Sequence, residues 1–176
     1  MKKAEFWSKQ YRSHIGKMIG VCYRYVGDWQ VAEDLAQDAF LHAIEKSGTY
    51  HAWGSFEGWL KKIALNEALM YLRNQPETVA LEEGMAVEEP LADEPQEVKE
   101  DFSQEELLEF IRQLPVKQRT VFNLYAVEHW SHKQIAQKLD ISVANSKVLL
   151  SRARAELQQR LKVVARRKNQ MLNAEC

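Results

Sequence analysis

The sequence predicts an all-α protein with two small helical domains, at residues 1–75 and 107–170, joined by an acidic, flexible linker at 76–106. Three observations lead to this fold class. Apolar residues recur at helical spacing on both sides of the linker, and the N-terminal part shows no β-strand pattern. All seven glycines lie at or before residue 84, which favours short-looped helices in the C-terminal part. Residues 75–106 carry twelve acidic side chains against one lysine, a net charge of −11 that opposes formation of a core.

Length and composition exclude several classes of protein. The chain has 176 residues, of which 45% are apolar, and this supports compact cores rather than wholesale disorder. No apolar run is long enough to span a bilayer, and we expect no signal peptide at the start of the chain. Cys22 and Cys176 are too few for a disulfide scaffold and lack the spacing of metal ligands. We therefore expect a soluble, cytoplasmic protein without a metal or other cofactor.

Charge is distributed unevenly along the chain, although its net value is only −1. Residues 1–74 carry a net charge of +2 and residues 107–176 carry +8. A basic C-terminal third favours a unit that binds a polyanion, and the acidic middle favours a solvated spacer. Basic faces are common, however, and charge alone leaves both interpretations open. Three of the four prolines support the linker prediction: Pro76, Pro90 and Pro95.

Three helices are predicted in the N-terminal part. The first lies in "KAEFWSKQYRSHIGKMIGVCYRYVGD", with Gly27 as its C-terminal stop and Asp28 as the N-cap of the second. After the loop "SGTYHAWGS", a third, amphipathic helix begins near Phe56, and we expect Trp59 to lie in the core. The second helix keeps i, i+3, i+4 spacing of apolar residues without a break: Ala32, Leu35, Ala36, Ala39, Phe40, Ala43 and Ile44.

Four helices are predicted in the C-terminal part. The segment "QEELLEFIRQL" is stopped by Pro115, and "VKQRTVFNLYAVEHW" forms one further helix. Ser131 is expected to cap "HKQIAQKL", and Ser142 to cap a long last helix. The turn between these two helices contains Asp140, which tolerates the left-handed backbone needed there better than most residues.

The stretch "QKLDISVANSKVLLSRAR", residues 137–154, has the pattern of a helix-turn-helix, and the small Ala136 permits the close crossing that this motif needs. Any helical hairpin can imitate the pattern, so the basic segments "RARAELQQRL" and "ARRK" are what favour DNA binding. The predicted inward face, in which the Ser146 hydroxyl should bond to a backbone carbonyl, is Val143, Ser146, Leu150, Ala153 and Leu157. The predicted outward face is Asn145, Lys147, Val148, Ser151, Arg152 and Arg154.

Two parts of the chain together resemble one known family. "AEDLAQDAFLHAIEK" with "FEGWLKKIALNEALMYLR" is similar to region 2 of bacterial σ70-type factors of the extracytoplasmic-function (ECF) group. "LPVKQRTVFNLYAVEHWSHKQIAQKLDISVANSKVLLSRARAEL" is similar to their region 4. The order of region 2, variable linker and region 4 is also that of the family. The resemblance covers about residues 10–75 and 107–160 and implies a region 2 domain and a region 4 domain.

The resemblance also implies three binding surfaces. The segment of region 2 that docks on the polymerase β′ clamp, otherwise an ordinary solvated face, corresponds to Asp34, Leu35, Gln37 and Asp38. The part that opens and contacts the −10 element corresponds to a loop and the helix after it, with candidates Tyr50, His51, Trp53, Lys61, Lys62, Asn66 and Arg73. Region 4 meets the polymerase β flap and lays its last helix in the major groove of the −35 element, with candidates Asn145, Lys147, Val148, Ser151, Arg152 and Arg154.

The chain departs from the family pattern at four single positions and at "RNQPE", residues 73–77, which stands where the family has a basic ending. Leu65, Tyr125 and Leu149 stand where arginine is common, and Val148 stands where serine is frequent. These departures imply weakened contacts to the −10 element and an altered preference at the −35 element, where Val148 could still meet a thymine methyl group.

Three functions stay open at this point. The leading hypothesis is a transcription initiation factor that binds core RNA polymerase, directs it to −35 and −10 elements and helps to melt the latter. Such factors are usually held inactive by an anti-sigma protein, often membrane-bound. A sigma-like decoy that sequesters an anti-sigma factor would explain Leu65, Val148 and Leu149, and a stand-alone helix-turn-helix regulator would explain residues 107–170 only. An enzyme acting on a small-molecule substrate is least expected, since no phosphate loop, metal cluster or nucleophile–base pair is visible.

Overall fold

The structure is a computed structural model that describes residues 2–51, 54–75 and 102–174. The chain divides into two compact units, Met1–Leu81 and Glu82–Cys176, which are treated separately below. Every regular element among the described residues is helical, so the all-α fold class is confirmed. The predicted linker, 76–106, lies outside the described residues except at its C-terminal end, residues 102–106.

The first unit is a bundle of three helices that each pack against the other two. These are α1 (Lys2–Val26), α2 (Trp29–Glu45) and α3 (Phe56–Arg73), with a single 3₁₀ turn at Ser47–Thr49 after α2. The junction of α1 and α2 was predicted correctly. Gly27 adopts a left-handed backbone with φ 70°, and the Asp28 carboxylate accepts a hydrogen bond of 3.0 Å from the Val31 N–H.

Small side chains line the inward faces of α2 and α3. All the predicted core residues of α2 are buried except Ile44, which is 37% exposed near the end of the helix. Side chains as small as alanine let helix axes approach closely, so the opposite, polar face of α2 is turned outward. The fully buried alanines of the two helices are Ala32, Ala36, Ala39, Ala43, Ala64 and Ala68.

The described part of the second unit, residues 102–174, contains four α-helices. They are α4 (Gln104–Arg112), α5 (Val116–Phe122), α6 (His132–Leu139) and α7 (Val143–Ala174). α4 begins inside the predicted linker, because Ser103 and Glu106 form a reciprocal capping box at its N-terminus.

The predicted helix "VKQRTVFNLYAVEHW" is wrong in its second half. Its α-helical part ends at Phe122, and a π-helical turn follows at Asn123–Val127. In this turn the Glu128 N–H bonds to the Asn123 carbonyl at 3.1 Å. His129 then adopts a left-handed backbone with φ 57°, which directs the chain towards α6. The apolar spacing gave no warning of this wider turn.

The helix-turn-helix predicted between α6 and α7 is confirmed. Asp140 ends α6 with φ 55° and ψ 49°, the left-handed conformation expected at this position. The Ser131 and Ser142 hydroxyls cap α6 and α7, accepting from the N–H groups of Gln134 at 3.2 Å and of Asn145 at 3.0 Å. Ala136 is buried, as the close crossing of the two helices requires.

The left-handed turn at Asp140 leads to a prediction about stability. We expect Asp140→Ala to lower the free energy of unfolding of the second unit by about 1 kcal/mol, because a Cβ with no hydrogen-bonding group is disfavoured in this conformation. Asp140→Gly should preserve or raise that free energy, since glycine adopts the conformation freely. Urea unfolding followed by NMR signals of residues 104–174 would measure both. Equal destabilisation by alanine and glycine would show that the Asp140 carboxylate, and not the backbone, is what matters.

Candidate polymerase and nucleic-acid interfaces

The polar face of α2 carries the candidate polymerase contacts. Asp34, Gln37 and Asp38 are exposed at i, i+3, i+4 spacing and form one stripe. Leu35 does not belong to it, because its side chain is only 8% exposed and lies in the core beside Ala36. Leu35 is therefore absent from the exposed face of α2, and its packing stabilises the helix that presents the stripe.

One residue of this stripe was missed in the sequence. Leu41 continues the spacing of Asp34, Gln37 and Asp38 by a further turn and is 59% exposed. Its apolar character on a polar face, three residues after Asp38, could have identified it. The stripe thus combines two carboxylates, one amide and one exposed leucine. We call these four residues the α2 stripe.

The candidate −10 residues of α3 fall on two sides of the helix. Lys62 and Arg73 are exposed and Asn66 is half-buried, and their spacing places them on one side. Met70, an exposed residue, lies on this side as well. Lys61 lies on a different side of α3, about 100° around the helix axis from Lys62. We call Lys62, Asn66, Met70 and Arg73 the α3 stripe.

Lys61 belongs to a separate ion cluster centred on Glu57. The Glu57 carboxylate lies 3.4 Å from Lys61 Nζ and 2.8 Å from Lys17 Nζ, with His14 Nδ1 at 3.8 Å. The hydrogen bond from Lys17, and then that from Lys61, lower the pKa of Glu57 below its ordinary value. The carboxylate is therefore ionised at neutral pH and partly compensates the charge of Lys61.

The loop between α2 and α3 is held by aromatic contacts. The Tyr50 ring lies 5.6 Å from the Phe56 ring and 5.3 Å from the Trp59 ring, and its hydroxyl donates to the Gly54 carbonyl at 3.1 Å. Tyr50 is thus occupied in shaping the loop. Trp59 is half-buried in this cluster, so its predicted place in the core is only partly correct. Trp53 lies outside the described residues.

The candidate −35 residues of α7 differ in their exposure to solvent. Lys147, Arg152 and Arg154 are exposed, and Asn145 and Ser151 are half-buried. The placement of Val148 on this outward face is wrong, because Val148 is only 9% exposed. The next two residues, Leu149 and Leu150, are buried as well. A helix packed from one side buries a single stripe, whereas α7 packs against both α5 and α6 and buries a wider sector.

The predicted inward face also needs two corrections. Val143 is 42% exposed, since it stands at the start of α7 beyond the contact with the other helices. Ser146 is fully buried as expected, but its hydroxyl lies 2.9 Å from His132 Nδ1 and bonds to that ring rather than to a backbone carbonyl. His132 is the first residue of α6. The burial of Ser146 on the facing helix creates this partner.

The C-terminal half of α7 is tied to α4. Lys168 Nζ lies 2.9 Å from Glu106 Oε1 and 4.7 Å from the centre of the Phe102 ring. Arg160 donates to the Gln113 side-chain oxygen at 2.6 Å. Lys168 and Arg160 of the basic C-terminal segments therefore have partners within the second unit.

No cofactor or metal site emerges from residues 2–51, 54–75 and 102–174. No cluster of three His, Cys, Asp or Glu side chains in these ranges could hold a metal ion. Burial, aided by the charge of Glu67, raises the pKa of the Cys22 thiol to about 12, so this cysteine is not a nucleophile at neutral pH. Over the same ranges no helix is both long and apolar enough to cross a lipid bilayer.

The burial of Leu149 leads to a second prediction. If an arginine at this position served DNA binding, Leu149→Arg would strengthen it. Because the side chain is buried, we expect instead that the substitution lowers the free energy of unfolding of the second unit by about 3–5 kcal/mol. Lys147→Arg, at an exposed position two residues away, is the matched control and should change that free energy by less than about 0.5 kcal/mol. Thermal or urea unfolding measures both, and a fully stable Leu149→Arg protein would contradict the packing described above.

Two family profiles match the chain in the expected order. "Sigma-70 region 2" matches residues 10–77, and "Sigma-70, region 4" matches residues 104–157. Together they span most of both units. The second match begins at the observed start of α4, three residues before the start predicted for the domain.

Individual relatives and one solved structure agree with these matches. The ECF RNA polymerase sigma factor SigW of Bacillus subtilis is 31% identical over 156 residues, which are 83% of each chain. The RNA polymerase sigma-H factor of Pseudomonas aeruginosa is 29% identical over 160 residues, covering 85% of this chain and 83% of the relative. The sigma factor RpoE of Bartonella quintana, solved in complex with the anti-sigma factor NepR, matches with a TM-score of 0.52 and 22% identity over 90% of this chain and 98% of that one. The last likeness supports the fold. The family profiles and the relatives show that this chain belongs to the ECF group of the σ70 family of RNA polymerase sigma factors.

Proposed function

We propose that this protein is a transcription initiation factor that binds core RNA polymerase and directs it to promoters with specific −35 and −10 elements. The observation that carries the proposal is that both family regions are present in order, each with its polar candidate residues on a solvent-facing surface. We further propose that residues 1–75 form the region 2 domain and that the region 4 domain begins near residue 104 and includes the predicted 107–170. The acidic residues between them would serve as the connecting segment.

The proposed polymerase contact is the α2 stripe on the β′ clamp. Its carboxylates, Asp34 and Asp38, can accept charge-assisted hydrogen bonds from cationic side chains of a partner. Leu41 adds an apolar contact that can be desolvated at the centre of an interface, where isolated charges are costly. The close packing beneath the stripe keeps its spacing rigid. The second unit is proposed to meet the β flap, as the family resemblance implies.

The proposed −10 contact is the α3 stripe with the loop before it. Lys62 and Arg73 supply cations to the DNA backbone, and Asn66 and Met70 between them can meet an unpaired base. Tyr50 is proposed to hold the loop in place rather than to stack on a base itself, and Trp53 stays a proposed base contact. Lys61 is a weaker candidate, because part of its charge is already compensated by Glu57.

The proposed −35 contact is the N-terminal half of α7 in the major groove. We propose that Lys147 and Arg154 contact phosphate and that Asn145, Ser151 and Arg152 contact base edges. Val148 is withdrawn as a base contact because of its burial.

Burial supports a working sigma factor over a decoy. The decoy hypothesis rests on Leu65, Val148 and Leu149 as lost polar contacts, and all three lie in the cores of their units. Apolar residues are expected at such positions in a functional protein as much as in a decoy. Membership of the family supports regulation by an anti-sigma protein, which we propose would cover the α2 stripe or the exposed face of α7.

Run-off transcription tests the proposed function directly. Core polymerase would be incubated with sheared genomic DNA with and without this protein. Discrete new transcripts with two shared upstream sequence elements are expected. Core binding without transcripts would revive the decoy, and DNA binding by residues 102–176 without any core binding would favour a stand-alone regulator.

The α2 stripe leads to a prediction about polymerase affinity. We expect Asp34→Arg to weaken core binding at least about tenfold, because it places a cation where cationic partner groups should lie. Glu5→Arg makes the same charge change at an exposed position of α1 and should leave the affinity unchanged. Fluorescence anisotropy with labelled protein would measure both, and melting curves would confirm folding. Equal affinities of the two variants would exclude the α2 stripe from the interface.

The exposed face of α7 leads to a prediction about promoter selection. We expect Arg152→Ala to lower −35-dependent transcription by an amount equivalent to about 1–3 kcal/mol, the typical contribution of one base contact. Arg167→Ala removes an equally exposed arginine of the same helix beyond the family match and is the matched control. Initial rates on the promoters found by run-off transcription would be compared. Equal losses in the two variants would show that only overall charge matters.

A further inference from the structure

Four side chains form a connected cluster between the π-helical turn, α6 and α7. Buried Ser146 of α7 is hydrogen-bonded to His132 Nδ1 at 2.9 Å. The His132 ring is stacked on the Tyr125 ring, with a centroid distance of 4.7 Å and an angle of 22° between the planes. The guanidinium of Arg154 lies over the same Tyr125 ring, 5.5 Å from its centre. The cluster thus joins a buried hydroxyl to a cation on the exposed face of α7.

These contacts restrict the position of the Arg154 side chain. A long arginine side chain normally loses rotamer freedom when it binds a phosphate, which weakens binding. An aromatic ring beneath the guanidinium reduces this loss by holding the side chain near one position. The Tyr125 ring is itself held in place by His132, and His132 by Ser146. Arg154 is thereby ordered before any DNA arrives.

Several positively charged side chains lie near His132. Lys147 and Arg154 face it from α7, Tyr125 faces it from the π-helical turn, and Lys133 follows it on α6. Burial, and then the positive charges of Lys147 and Arg154, lower the pKa of His132 below its ordinary value. At neutral pH the imidazole is therefore uncharged in the free protein.

The cluster can accept a proton without rearrangement. A serine hydroxyl can either donate to Nδ1 of neutral histidine or accept from Nδ1–H of protonated histidine. A protonated imidazole also remains favourable against a tyrosine ring. Burial and the repulsion by Lys147 and Arg154 oppose protonation, and bound phosphates would reduce the repulsion.

We propose that Tyr125 and His132 are positioning residues for the DNA-facing cations of α7, and that phosphate binding there is coupled to uptake of a proton by His132. This inference rests on the proposed −35 contact of α7. Because the DNA-bound state binds the additional proton, promoter affinity rises as the pH falls through the His132 pKa of the bound state. The rise ends below the pKa of the free protein. Affinity changes by about tenfold for each unit by which DNA raises that pKa.

The test measures equilibrium binding of holoenzyme to a labelled promoter fragment from the run-off experiment. Core polymerase is combined with the full chain, and affinity is measured from pH 5.5 to 8.5 at constant ionic strength. His132→Gln keeps a hydrogen-bonding side chain that cannot titrate, so its profile should lack the part of the rise that is due to His132. His129→Asn is the matched control: it removes a neighbouring exposed imidazole, asparagine tolerates the left-handed backbone, and the wild-type profile should persist.

Salt dependence tests the positioning of Arg154 separately. Tyr125→Leu should weaken promoter binding and reduce the slope of log affinity against log salt by about 0.9, the loss of one phosphate contact. Tyr125→Phe keeps the ring and should restore both values. Melting curves of each variant, free of DNA, establish that the second unit is folded.

The outcomes distinguish failure of the proton coupling, failure of the positioning of Arg154 and failure of the proposed function. Identical pH profiles of wild-type and His132→Gln holoenzyme would overturn the proton coupling. An unchanged salt slope in Tyr125→Leu would overturn the positioning of Arg154. Holoenzyme that forms normally but binds no promoter fragment would overturn the proposed function, and this inference with it.

Discussion

Close approach of helices on small side chains is the constraint on which both units depend. The first unit places six fully buried alanines on the facing sides of α2 and α3, and the second unit buries Ala136 of α6 and Ala153 of α7. At such contacts an added methyl group or two costs about 1–3 kcal/mol, because the neighbouring backbone has to move. The rotation of each helix about its axis is therefore fixed. Once that rotation is fixed, so is the set of side chains that can reach a partner.

The functional surfaces follow from this rotation. On α2 the alanine face points inward, so Asp34, Gln37, Asp38 and Leu41 form one outward stripe with the rigidity of the core beneath it. On α7 the same constraint reduces the exposed surface, because α5 and α6 both pack against this helix. Val148 and Leu149 are lost from the surface, and the polar residues on either side of them must carry any contact to DNA. A narrow recognition surface makes the orientation of each remaining cation more important.

Local chemistry explains which features could be predicted from the sequence. Gly27, Asp28, Ser131, Asp140 and Ser142 were placed correctly because a cap or a left-handed turn depends on a few consecutive residues. The burial of Val148 could not be predicted in this way, since it depends on α5, more than twenty residues earlier in the chain. The π-helical turn at Asn123–Val127 could not be predicted for the same reason. Its apolar residues also fit an α-helix, and only the packed structure shows the wider turn. The bond between His132 and Ser146 joins two positions that look unremarkable separately.

The departures from the family pattern take on a different meaning when packing is considered. Leu65 and Leu149 stand where arginine is common, but in this chain they are buried, so they do not diminish the exposed charge. Tyr125 is the informative case, because it is half-exposed and is also a position where arginine is common. Its ring lies beneath the guanidinium of Arg154, so a cation still occupies the space beside the turn. The charge is supplied by α7 instead of the turn, and the aromatic pair of Tyr125 and His132 supports it. A sequence comparison that scores each position separately would count a lost arginine here, whereas the structure retains the positive charge and adds a histidine next to it.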